Sequence, residues 1–228
     1  MAMRRSAGPV ATVLSAIVPA CVATVERFAD EPDVRLFAAE EAAIIRAVPK
    51  RRNEFATVRH CARLALASLG VDPVALVPSE RGAPSWPPGV VGSMTHCDGY
   101  RAAAVARETD LRTIGIDAEP HGPLPDNVLH LVSRAAERRH LDELFAAAPT
   151  IAWDRALFSA KESVYKAWFP VTREWLDFSD AHVTFDPYDG TFDVAILRTP
   201  AGGADLGRVR GRWTVVGNII ATAVVVTA

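Results

Sequence analysis

Arg-Val-Arg-Gly-Arg-Trp-Thr-Val-Val-Gly-Asn-Ile-Ile-Ala-Thr-Ala-Val-Val-Val-Thr, residues 208–227, reads as two β-strands joined by one tight turn. β-Branched and aromatic residues crowd both arms, and Gly217-Asn218 supplies the turn chemistry that a two-residue hairpin requires. Working back from it, strands are expected at 181–185 and 191–197, with Asp189-Gly190 as their turn. Upstream of these lies helical material at 127–147 and 152–169, which Pro170 is expected to stop. The first half has the same plan. Helices are expected at 38–48, ended by Pro49, and at 51–69, where Phe55, Val58, Ala62, Ala65 and Leu69 form one stripe and Gly70 closes the helix. A proline-rich loop at 84–89 leads into strands at 90–95 and 101–106, joined by Asp98-Gly99, and a third strand at 113–119. Helices followed by an antiparallel meander, twice over, predict an α+β chain of two similar lobes related by a pseudo-twofold axis, 1–116 and 117–228. A site at the seam between the lobes is the natural expectation.

Bulk properties bound the function. The 228 residues are 50% hydrophobic and 23% charged, the signature of a folded domain. A formal net charge of −2 argues against general nucleic-acid binding. Cys21, Cys61 and Cys97 share no metal-ligand spacing and are read as reduced thiols in a cytoplasmic protein. No apolar run reaches the roughly 18 residues of a membrane span. Arg4-Arg5 ahead of the apolar stretch 10–18 loosely imitates a secretion signal, but Pro19 and the continuation Val22, Val25, Phe28 fit a first strand and helix better.

Lysine usage singles out one helix. Only Lys50, Lys161 and Lys166 are lysines among the 25 basic residues, and two of them fall within Phe158-Ser-Ala-Lys-Glu-Ser-Val-Tyr-Lys-Ala-Trp168. A lysine is a compact, movable ammonium whose pKa can be lowered, whereas arginine stays charged. Glu162 precedes Lys166 by one turn, and the two are expected to pair. Phe158, Tyr165, Trp168 and Phe169 would form the packed side. In 114–119, Ile-Gly-Ile-Asp-Ala-Glu, strand alternation puts Gly115, Asp117 and Glu119 on one face. The two carboxylates there stand about 7 Å apart at the backbone and can lean onto one hard cation, with Gly115 leaving room for a ligand. Acidic residues on a solvated edge strand are the plain alternative. Thr95-His96 at a strand end offers a hydroxyl and an imidazole to a phosphate, or else His96 is simply a buried or capping histidine. Arg51, Arg52, Arg59 and Arg63 on one helix face suit a multiply charged anion, or a solvated flank.

The joint order of Gly-Ser-Met-Thr-His-Cys (92–97), Gly-Ile-Asp-Ala-Glu (115–119) and Phe-Ser-Ala-Lys-Glu-Ser-Val-Tyr-Lys (158–166) resembles the 4′-phosphopantetheinyl transferases of the monomeric Sfp type. Lys-Arg-Arg-Asn-Glu-Phe (50–55), Val-Arg-His-Cys-Ala-Arg (58–63) and Lys-Ala-Trp-Phe-Pro (166–170) resemble their actinobacterial PptT branch. The resemblance implies a Mg²⁺-dependent enzyme, with Mn²⁺ as the alternative ion. It would transfer the phosphopantetheine arm of coenzyme A to a serine of an apo acyl or peptidyl carrier protein, releasing 3′,5′-ADP. Carriers of fatty acid, polyketide or nonribosomal peptide synthases would be its partners, with broad use in secondary metabolism and no role for nucleic acid or membrane. By the same resemblance Asp117, Glu119 and Glu162 hold the metal on the pyrophosphate. Glu162 takes the serine proton, directly or through a water, and Lys166 steadies the departing phosphate, so Asp117, Glu162 and Lys166 serve both coenzyme A and catalysis. Thr95 and His96, with Arg51 and Arg59, grip the 3′-phosphate, and the loop of Arg81, Gly82 and Pro84 borders the adenine. Some relatives place a lysine just before that loop, where this chain has Pro78, Ser79, Glu80 and Arg81. Two other readings stand beside this one. The first is a Mg²⁺-dependent nucleotide phosphotransferase or hydrolase, against which the absence of a phosphate-binding Gly-x-x-x-x-Gly-Lys-Ser/Thr loop counts. The second is a non-catalytic module that binds coenzyme A or a carrier protein.

Overall fold

Eight strands divide into two antiparallel sheets in a computed structural model that describes residues 12–202 and 206–228. The smaller sheet has the order β1-β3-β2, from Ala23–Arg27 (β1), Val90–Cys97 (β2) and Tyr100–Arg107 (β3). The larger runs β4-β8-β7-β6-β5, from Leu111–Pro120 (β4), Ala181–Asp186 (β5), Thr191–Ile196 (β6), Arg208–Val216 (β7) and Ile219–Thr227 (β8). The strand expected to finish the first meander is β4. It pairs along its length with β8, so it belongs to the second sheet, and a division after residue 116 passes through it. Arg4, Arg5 and Val10 of the amino-terminal stretch lie outside the described residues; a 3₁₀ turn at Leu14–Ala16 precedes β1.

Among the described residues there are five α-helices: Ala38–Ala43 (α1), Pro49–Ser68 (α2), Val128–Val132 (α3), Ala135–Ala147 (α4) and Trp153–Thr172 (α5); α2, α4 and α5 pack on the sheets. Two prolines do not end the helices that they were expected to stop. Pro49 opens α2 instead of closing α1, because at the first helical position its missing N–H costs nothing. Pro170 sits inside α5, which continues to Thr172. The helix loses only the hydrogen bond to the Lys166 carbonyl, and packing of the buried Trp168 and Phe169 holds the last turn. The helical material expected over 127–147 is present as two helices, α3 and α4, separated at Ser133-Arg134.

The core places the seam. Inner-facing Ala102, Ala104 and Ala106 of β3 pack with Ile114, Ile116 and Ala118 of β4 and Ala221 and Ala223 of β8. On the opposite side of β3, Ala103 and Val105 meet Ala62, Ala65 and Leu66 of α2. The run of small residues lets β3 be buried on both faces. α5 covers β4 and β8, with Ala160, Val164 and Ala167 set against Ile220 and Val224. Between the sheets, β2 lies alongside β4 without a backbone ladder. The Ser93 and Thr95 hydroxyls accept from Ile116 N and Ala118 N at 3.1 Å each, so side chains close an edge that would otherwise present bare amides.

Candidate active site

Gly115 fixes how closely α5 approaches β4. A Cβ built there would lie 1.9 Å from the Ser163 carbonyl oxygen and 2.6 Å from Ala167 N. The room expected for a ligand is therefore taken by the helix itself. This approach, helped by a 2.8 Å bond from the Thr113 hydroxyl to Ala167 O, brings the inward side of α5 over the acidic face of β4. The expected Glu162–Lys166 pair gives way to a longer-range one. Lys166 Nζ donates to Asp117 Oδ1 at 2.7 Å, and the Thr95 hydroxyl donates to the same oxygen at 3.3 Å. Asp117 Oδ2 is buried with no partner among the described residues. A bare carboxylate oxygen excluded from water is costly unless a cation or donor reaches it.

The other two expected metal ligands are less committed to one point. Glu119 Oε2 accepts from Arg155 Nη1 at 3.0 Å, a partner that nothing in the sequence singled out. Burial raises the pKa of Glu119, and the charge of Asp117 adds to the effect. Burial also raises that of Glu162, with Asp117 again pushing up and Lys166 opposing. Among the described residues no three His, Cys, Asp or Glu side chains, the expected Asp117, Glu119 and Glu162 included, are gathered closely enough to hold a metal ion. What exists is an open arrangement: an orphaned Asp117 oxygen and two carboxylates held above their ordinary range by burial and by like charge. A divalent cation would relieve both.

A cavity of about 980 Å³ opens beside these groups, bounded by α2, β2, the 78–86 loop and α5. Arg46, Arg51 and Arg59 line one side of it. Arg81, Arg112, Lys166 and Arg173 line the rest, and Glu162 is the one acidic residue in the lining. Of the expected anion-binding helix face, Arg51 and Arg59 reach the cavity, whereas Arg52 pairs with Glu41 and Arg63 with the buried Glu40. Arg59 lies over the Phe55 ring at 3.1 Å, donates to Leu76 O at 2.8 Å, and is pushed down to about 10 by burial. Arg51 touches His96. Burial and then the charges of Arg51 and Lys166 hold the imidazole down at about 4, so it is neutral at pH 7. Thr95 is 4% exposed and spends its hydroxyl on the seam. The loop with Arg81, Gly82 and Pro84 closes on itself through a Pro78–Pro84 bridge, with Arg81 and Gly82 in the left-handed region. The Arg81 guanidinium lies 5.2 Å from the Trp175 ring, and Trp175 packs on Tyr165, whose buried hydroxyl also lacks a partner among the described residues.

The second lysine has a different use. Lys161 Nζ, 1% exposed, donates to Glu137 Oε2, Phe178 O and Ala181 O at 2.7, 2.7 and 3.1 Å. Glu137 in turn accepts from Val183 N and Arg134 N. Lys161 thus ties α5 to α4 and β5 and, unlike Lys166, does not line the cavity. Arg46, Arg112 and Arg173 escape a reading of the sequence because isolated arginines carry no positional signal in an arginine-rich chain.

Residues 39–106 match the family model "4′-phosphopantetheinyl transferase N-terminal domain", and residues 113–206 match "4′-phosphopantetheinyl transferase superfamily". The chain is 52% identical to the 4′-phosphopantetheinyl transferase Svp of Streptomyces mobaraensis, over 95% of this chain and 90% of that one. It is 46% identical to the 4′-phosphopantetheinyl transferase PptT of Mycobacterium tuberculosis, over 95% of this chain and 99% of the other. With the 4′-phosphopantetheinyl transferase Npt of Nocardia iowensis it shares 48% identity, over 93% and 99%. Likeness of this extent, spanning both sheets and the seam between them, means that the chain belongs to the 4′-phosphopantetheinyl transferase superfamily.

Proposed function

We propose that the chain transfers the 4′-phosphopantetheine arm of coenzyme A to a serine of an apo carrier protein and releases 3′,5′-ADP. One observation carries the reading: seven cationic side chains and a single carboxylate line a cavity, and one of those cations, Lys166, is bonded to Asp117, whose other oxygen has no partner among the described residues. Coenzyme A is a polyanion with a pyrophosphate and a separate 3′-phosphate, so it needs two cationic regions. Arg51, Arg59 and the neutral His96 suit the 3′-phosphate, with guanidinium forks and one ring N–H as donors. Arg81, stacked near Trp175, suits the adenine side. The amino-terminal part of the chain would hold the nucleotide end, and β4 with α5 the reacting end.

Asp117 through Oδ2, Glu119 and Glu162 would hold Mg²⁺ or Mn²⁺, with waters completing its shell because Ala118 adds no ligand. The ion would neutralise charge that spreads over the phosphoryl oxygens. Glu162 accepts the proton of the incoming serine hydroxyl. The serine oxygen bonds to the phosphorus bearing the pantetheine arm, and the bond from that phosphorus to the bridging oxygen breaks. That oxygen leaves on 3′,5′-ADP, with Lys166 beside it as the counter-charge. Carriers of fatty acid, polyketide and nonribosomal peptide synthases share the required serine. Incubation with coenzyme A, Mg²⁺ and an apo carrier from each class, read by mass spectrometry, tests the proposal. One phosphopantetheine added to the carrier serine supports it; coenzyme A cleaved without carrier modification would favour a hydrolase.

A further inference from the structure

Thr95 is expected from its sequence context to grip the 3′-phosphate of coenzyme A, yet its atoms are otherwise engaged. A threonine hydroxyl has one hydrogen to give. Here that hydrogen goes to Asp117 Oδ1 at 3.3 Å, while the oxygen accepts the Ala118 amide at 3.1 Å. Both residues are about 95% buried, so water does not compete for either bond. Lys166 Nζ reaches the same Asp117 oxygen from α5. One oxygen of Asp117 is thus held from both sides of the seam, and the other is left bare. His96, the next residue on β2, touches Arg51; both residues border the cavity, but the Thr95 hydroxyl is already engaged by Asp117 and Ala118.

Resting on the proposed role of Asp117, we infer that Thr95 is a positioning residue: its hydroxyl fixes the Asp117 carboxylate so that Oδ2 faces the cation, and it makes no bond to the 3′-phosphate. Partners of this kind set metal affinity, and their loss costs about 10–100-fold. Ser93 provides the comparison, since its hydroxyl makes the same sort of seam bond, but to Ile116 N.

The test uses Thr95→Val, Thr95→Ser and Ser93→Ala in the full chain, with calorimetric titration of coenzyme A and of 3′-dephospho-coenzyme A. Without Mg²⁺, Thr95→Val should keep the wild-type preference for coenzyme A over the dephospho form within about twofold, because no phosphate contact is lost. As Mg²⁺ is added, the concentration that half-maximally tightens coenzyme A binding should rise about tenfold or more in Thr95→Val and return to the wild-type value in Thr95→Ser. Ser93→Ala should lower the melting temperature and leave the Mg²⁺ response unmoved. Loss of the dephospho preference in Thr95→Val would overturn the inference, as would an unmoved Mg²⁺ response or an equal shift in Ser93→Ala. If Thr95→Val does not fold, Thr95→Ser and Ser93→Ala still decide. A shifted Mg²⁺ response in Ser93→Ala, or a lost dephospho preference in Thr95→Ser, refutes the inference, and the wild-type pattern in both supports it. A wild-type protein that binds coenzyme A with no response to Mg²⁺ would overturn the metal reading itself, whereas a normal wild-type response beside an unmoved variant overturns only the role of Thr95.

Discussion

Gly115→Ala inserts one methyl group where α5 crosses β4, and its effect can be worked from the packing. The new Cβ would sit 1.9 Å from Ser163 O and 2.6 Å from Ala167 N, against the 3.4 Å at which ordinary contact begins. Both obstacles are backbone, so no side chain can turn aside. The helix must retreat by about 1.5 Å, or β4 must bend by as much. Overpacking of this sort costs about 1–3 kcal/mol, which in a chain of this length lowers the melting temperature by about 5 °C. The functional loss should be larger. A retreat on that scale stretches the 2.7 Å Lys166–Asp117 bond to about 4 Å, beyond hydrogen-bond range, and carries Glu162 with it. Misplacing catalytic groups by about 1 Å costs on the order of 10²-fold in rate. The assay is the initial rate of mass gain on an apo carrier at saturating coenzyme A, beside a thermal melt. Gly122→Ala serves as the comparison, because a Cβ there meets nothing within 4 Å and should change neither reading. Wild-type rate and melting temperature in Gly115→Ala would refute the close approach of α5 and, with it, the derivation of the site from that contact.

Glu162→Gln should abolish transfer with an unchanged melt and unchanged coenzyme A binding without Mg²⁺; full activity would remove Glu162 as the base. Burial raises the Glu162 pKa above its usual 4.5, and a base acts only when ionised, so the rate should fall as pH drops through that raised value. Higher Mg²⁺ should move this acid limb downward, because a nearby cation favours the carboxylate; a limb indifferent to Mg²⁺ would contradict the assignment. Arg51→Ala should weaken coenzyme A binding about tenfold and leave 3′-dephospho-coenzyme A binding nearly as it was, measured by calorimetry. Lys161→Met should destabilise the fold by about 3–5 kcal/mol, since it strands the buried Glu137 carboxylate, and Lys161→Met combined with Glu137→Leu should recover part of that loss in denaturant unfolding.

The strands are legible in the sequence because their signals are local. Gly217-Asn218, Asp189-Gly190 and Asp98-Gly99 each sit at the turn they predict. The second sheet's claim on β4 is not legible, since sequential adjacency favours the first meander and only the long-range pairing with β8 decides otherwise. Prolines mislead for a similar reason: Pro49 and Pro170 break helices by local rules, but position and packing override those rules here. At the site, the acidic face of β4 and the lysine-bearing helix are readable from period and composition. Which partner each group takes is not. Lys166 reaches across 49 positions to Asp117 in preference to Glu162 one turn away, and Arg155 claims Glu119. The two scarce lysines of α5 look alike in sequence, yet one faces the cavity and the other ties helices together inside the fold. Only the tertiary packing of α4 and β5 around Lys161 separates them.

Carboxylates from β4 and α5 are proposed to share one divalent cation where the helix crosses the strand. The most direct test is titration of Mn²⁺ into the protein–coenzyme A complex, monitored by the paramagnetic signal of the free ion, in wild type, Asp117→Ala and Glu162→Gln. One tightly held ion in the wild type, weakened at least about tenfold by either substitution, is the expected result. Equal Mn²⁺ affinity in all three proteins would contradict it.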